Sequence, residues 1–75
     1  MAVDPAGHVY HSNRAAVHFA KGDHAEAVSD ARECLKRKPD FVKGYYRLAL
    51  AQIELGELEE AEKTLRAGLK VDDKN

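Results

Sequence analysis

The chain repeats itself at an offset of 34 residues, the step from Gly22 to Gly56. Ala15 and Ala49, Glu26 and Glu60, Ala27 and Ala61, Arg32 and Arg66, Leu35 and Leu69, and Lys36 and Lys70 fall on the same ruler, as do Pro5 and Pro39. A period of this length, with two amphipathic segments per unit, marks a helical-repeat array. Each unit is then a helix–turn–helix that covers its apolar face only by stacking on a neighbour. The expected fold is all-α: two stacked helix–turn–helix hairpins forming an α-solenoid fragment, with four antiparallel helices over about 8–20, 24–37, 41–54 and 58–71. Residues 1–7 read as the tail of a preceding repeat or a linker, 8–41 as one repeat and 42–75 as the next.

Local chemistry supports these limits. Gly22 and Gly56 can take the left-handed conformation that closes a helix. Asp23 is expected to cap the second helix, with Glu26 completing a capping box. Pro39 forces Lys38 out of the helical region and ends that helix; Asp40 is then expected to cap the third. The second and fourth helices open on acids and close on bases, which complements the helix dipole by about 0.3–1 kcal/mol per exposed charge. Small residues recur where helices must approach closely: Ala15, Ala27 and Cys34 in the first unit, Ala49, Ala61 and Gly68 in the second.

Composition sets the outer bounds. Seventy-five residues, 44% apolar and 33% charged, make one small helical domain of marginal stability. The net charge of −1 offers no basic field for nucleic acid or a membrane surface. No apolar run is long enough to span a bilayer, and Met1–Gly7 lacks the pattern of a secretion signal. A lone cysteine, Cys34, fits a reducing, cytoplasmic setting and a packing role. Asp4-Pro5-Ala6-Gly7 resembles the loop closing a preceding repeat, and Asp72 and Asp73 fall where the next closing loop would be. With no polar solvating helix following, an excerpt of a longer array or end-to-end self-association through uncapped repeats is expected.

In such a stack the first helix of each unit lines the concave face. That face should hold Val9, Ser12, Asn13, Ala16 and Phe19 from the first helix. From the third it should hold Lys43, Tyr46, Arg47, Leu50 and Ile53. Lys43 and Arg47 are four apart and so share one face, where like charges cost about 0.2–0.5 kcal/mol unless an anion lies between them. Asn13 precedes Arg47 by one repeat and should sit beside it across the groove. Two cations and an amide beside an apolar floor suit a carboxylate with an apolar neighbour, as in capture of a peptide C-terminus. The alternative is that both cations are solvated, with Asp40 screening Lys43 and Glu54 serving Arg47.

Asn13-Arg14-Ala15-Ala16 and Lys43-Gly44-Tyr45-Tyr46-Arg47 resemble the second and third repeats of carboxylate-clamp tetratricopeptide domains, over nearly the whole chain. Such domains belong to co-chaperones of the stress-inducible organising type, with related versions in immunophilins, a protein phosphatase and mitochondrial import receptors. The resemblance implies that Asn13, Lys43 and Arg47 hold the terminal carboxylate and last Asp side chain of a Glu-Glu-Val-Asp tail of heat-shock protein 70 or 90. Clamps of that family also take a Lys and an Asn from a preceding repeat, which have no counterpart here.

Other functions find less in the sequence. His8, His11 and His18 share one helix, but no cysteine or carboxylate lies at ligand spacing beside them. His11 takes the slot of Tyr45 and His18 that of Gln52, so both read as packing residues on the inter-helix face, and no metal or cofactor is expected. No catalytic grouping or phosphate-binding loop is present, so the chain is not expected to be an enzyme. Tyr45 and Tyr46 lack the basic surroundings that RNA stacking needs. The remaining competitor is a generic repeat scaffold that binds another protein without carboxylate recognition.

Overall fold

The computed structural model describes residues 7–72 as four helices. In chain order they are α1 (Gly7–Ala20), α2 (His24–Arg37), α3 (Val42–Glu54) and α4 (Leu58–Asp72). Each boundary lies within a residue of its sequence expectation. Helix α1 packs on α2, α2 on α3 and α3 on α4, and α1 also meets α3. This is the neighbour-only contact pattern of a repeat array. Of the two expected loop segments at the ends, Gly7 already belongs to α1 and Asp72 to α4. Residues 1–6 and Asp73 lie outside the described residues.

Both hairpins close in the same way. Gly22 and Gly56 take φ of 86° and 82°. At the first closure the Gly22 N–H donates to Phe19 O at 3.0 Å and the Asp23 N–H to His18 O at 2.8 Å. At the second, Gly56 donates to Ile53 O at 3.0 Å and Glu57 to Gln52 O at 2.8 Å. These are paired Schellman closures, which satisfy carbonyls that the helix end would otherwise leave without partners. Between the hairpins Lys38, preceding Pro39, is driven to φ −142° and ψ 89°, and α2 stops there.

The expected side-chain caps do not form. Asp23 occupies the N-cap of α2, but its side chain makes no cap hydrogen bond. It also closes the Schellman turn of α1, and its ψ of 68° falls short of the extended region from which a cap carboxylate reaches the second or third amide. Its carboxylate lies 3.6 Å from His18 Nδ1 instead. The N-cap of α3 is Phe41, not Asp40; the Asp40 carboxylate meets Lys38 Nζ at 3.2 Å.

The Cα trace fills a slab of 39 × 31 × 15 Å, too thin to enclose large side chains deeply. The core is therefore built from small ones: Ala15, Ala27, Ala31, Cys34, Ala49, Ala51 and Ala61 are buried. Leu48 of α3 inserts against Ala15 and Ala31, with Val28 and Leu35 packed around it. Burying one such leucine stabilises the fold by about 1.5–3 kcal/mol. Two glycines mark the closest approaches. A Cβ on Gly44 would lie 2.7 Å from Leu35 Cδ2, and one on Gly68 would lie 2.9 Å from Tyr45 Cβ.

Candidate functional site

Helix α3 divides its surface sharply. Gly44, Leu48, Ala51 and Gln52 are buried against the neighbouring helices. Lys43, Tyr46, Arg47, Leu50 and Ile53 form the exposed stripe. The apolar members are conspicuous there: Tyr46 is 40% exposed and Leu50 47%. On α1, Val9 and Asn13 are exposed, while Ala16 and Phe19 are half-buried. Ser12 is different, at 4% exposed, and sits within the packing rather than on an open surface. Asn13 and Arg47 hold the same position in the two repeats, and both are exposed.

The acids named as alternative partners for the two cations lie beyond ion-pair distance of both. Asp40 pairs with Lys38, and Glu54 Oε1 lies 4.0 Å from His24 Nε2. Among the described residues, Asn13, Lys43 and Arg47 take part in no side-chain hydrogen bond or ion pair. Two surface depressions lie on α4, lined by Lys63, Arg66, Ala67 and Lys70 and by Arg66, Leu69, Lys70 and Asp72. None of the three candidate residues borders either.

Beside Asn13 lies a feature that the motif reading passed over. Arg14 Nε donates to Asp30 Oδ2 at 2.9 Å and Nη2 to Oδ1 at 2.8 Å. Its Nη1 donates to Tyr10 Oη at 2.9 Å. The Asp30 side chain is 7% exposed and also meets His11 Nδ1 at 3.3 Å and His18 Nε2 at 3.5 Å. The histidines are on the inter-helix face as expected, but they flank a carboxylate. Hydrogen bonding from Arg14 holds the Asp30 carboxyl below its ordinary value against the opposing effect of burial, with His11 assisting. The same bond raises the Arg14 guanidinium further above its already high value. In the second hairpin the matching positions are neutral: Leu48 for Arg14 and Thr64 for Asp30. There Thr64 Oγ1 donates to Gln52 Oε1 at 2.7 Å. Cys34 is fully buried, and burial pushes its thiol up, which fits the packing role.

Four helices in two stacked hairpins that close in the same way define a class: a helical-repeat scaffold. The tetratricopeptide repeat family model matches residues 18–75, and the chain belongs to that family. It is 44% identical over 73 residues to the "Protein STIP1 homolog" of Dictyostelium discoideum, covering 97% of this chain and 13% of the relative. It is 41% identical over 68 residues to the "Heat shock protein STI1" of Saccharomyces cerevisiae, covering 91% and 12%. With the "Hsp70-Hsp90 organizing protein" of Triticum aestivum it shares 37% identity over 75 residues, covering 100% and 13%. The chain thus spans only 12–13% of the length of these relatives.

Proposed function

We propose that the chain is a co-chaperone-like, non-catalytic protein-interaction module of the cytoplasm that binds acidic C-terminal peptides of the Glu-Glu-Val-Asp type, from heat-shock protein 70 or 90. Asn13, Lys43 and Arg47 hold the peptide's terminal carboxylate. Val9, Ala16, Phe19, Tyr46, Leu50 and Ile53 form the floor for its apolar side chain, with Ser12 packed beneath. The observation that carries this reading is the pair Lys43 and Arg47, one turn apart on an exposed face, with no acid among the described residues within ion-pair distance of either. An anion between two such cations removes their repulsion and gains charge-assisted hydrogen bonds of about 1.5–3 kcal/mol each. The relatives named for Hsp70 and Hsp90 support the same class of partner.

The test is titration with a Glu-Glu-Val-Asp peptide and its C-terminal amide. The free acid should bind more tightly, and added salt should weaken it as the charges are screened. Lys43→Ala with Arg47→Ala should abolish binding while helicity is retained. Equal affinity for acid and amide would remove the carboxylate from the account. A partner that still binds the double variant would favour a generic scaffold role.

A further inference from the structure

We infer that Asp30 is a positioning residue for the carboxylate site. It fixes the rotation of α1 that carries Asn13 relative to the α3 cations. The inference rests on the proposed function.

The geometry is specific to the first hairpin. Arg14 is the only Lys or Arg on α1 and directly follows Asn13. The residues that meet Asp30 are His11, Arg14 and His18, spaced three and four apart, so they form one stripe along two turns of α1. One buried carboxylate on α2 therefore holds α1 at both ends of the segment that carries Asn13. Asn13 lies one residue round the helix from the central contact, and its direction is set by that contact. The second hairpin has no such latch: Leu48 is packed in the core there, and Thr64 bonds to Gln52.

The experiment compares the chain with its Asp30→Asn variant, titrating each with the acid and amide forms of a Glu-Glu-Val-Asp peptide well below the melting temperature. In the folded variant we expect affinity for the acid to fall about tenfold while the amide is unchanged, so the acid-to-amide ratio collapses. A folded variant with the parent ratio overturns the inference, as does an equal loss for both peptides, which marks a purely structural role. If Asp30→Asn does not fold, Arg14→Lys is used in its place. It keeps the charge but cannot make the two-pronged bond, and it should lower the ratio about threefold; an unchanged ratio overturns the inference. If the parent chain itself does not discriminate acid from amide, the carboxylate reading fails and Asp30 loses its role with it. That outcome is distinct from a discriminating parent with a discriminating Asp30→Asn variant.

Discussion

The two close-approach glycines differ in what a methyl group would strike. At Gly44 the nearest atom is Leu35 Cδ2, the tip of a side chain that can turn aside. At Gly68 it is Tyr45 Cβ, the root of a side chain, which moves only with the backbone of α3. Alanine gains about 1 kcal/mol in helix propensity at either site, but overpacking costs about 1–3 kcal/mol where neighbours cannot relax. Gly68→Ala should therefore destabilise the fold and Gly44→Ala should do so less, measured as the shift in urea midpoint at constant slope. The turn glycines were legible in the sequence because a positive φ narrows the choice to nearly one residue type. The caps were not. An aspartate can bond its own turn, a neighbouring base or a helix amide with similar ease, and Asp23 and Asp40 each took a base. Asn13 and Arg47 could be paired in the sequence because they sit on the repeat ruler, and Lys43 joins them because it shares a face of α3 with Arg47; their binding role is a matter for the peptide titration. Ser12 was misplaced because the helical wheel alone does not say how far α1 turns into its neighbours.

At the level of helix pairs, the hairpins are held by different chemistry. Helix α1 is fastened to α2 through a charged cluster, and α3 to α4 through a neutral hydroxyl–amide bond. Hydrogen bonding from Arg14 holds the Asp30 carboxyl lower in the folded chain than its ordinary, unfolded value. The stability it contributes is thus fully present above that value and is lost as pH falls through the folded one. The melting temperature should hold above about pH 5 and drop steeply below pH 4, and Asp30→Asn should flatten that acid limb while lowering the unfolding free energy at neutral pH by about 1–3 kcal/mol through lost hydrogen bonding. Thermal melts from pH 7 to pH 2.5 on both chains check it. Asp40, also lowered by its bond to Lys38, is exposed and adds little to this limb. The latch was hidden from motif reading because it depends on the packing register of two helices. A trace of it lay in the repeat comparison, where both partners change together: Arg14 against Leu48 and Asp30 against Thr64.

For the whole molecule, the open question is how its ends meet other chains. On α4 the counterpart of Leu35 is Leu69, which is 57% exposed where Leu35 is packed. A second copy stacked in repeat register would bring its α1 to that face. It would then present Tyr10 at the place where Gly44 makes room and Arg14 at the place of Leu48. Tyr10 is bulky and tied to Arg14, which is in turn tied to Asp30. Stacking in register would have to displace that bonded Tyr10, so the end-to-end self-association expected from the uncapped repeats should be weak in this register. The melting temperature should not change with protein concentration, and sedimentation should give the monomer mass; a melting temperature rising with concentration would restore the stacked assembly. The shape of the whole was readable because one period, two turn glycines and one proline fix it. The matching bends at Gly22 and Gly56 separate the frame from the surface it carries. They set the angle of each hairpin from behind, through backbone bonds alone, so substitutions in the hollow can change the ligand while the frame keeps its form.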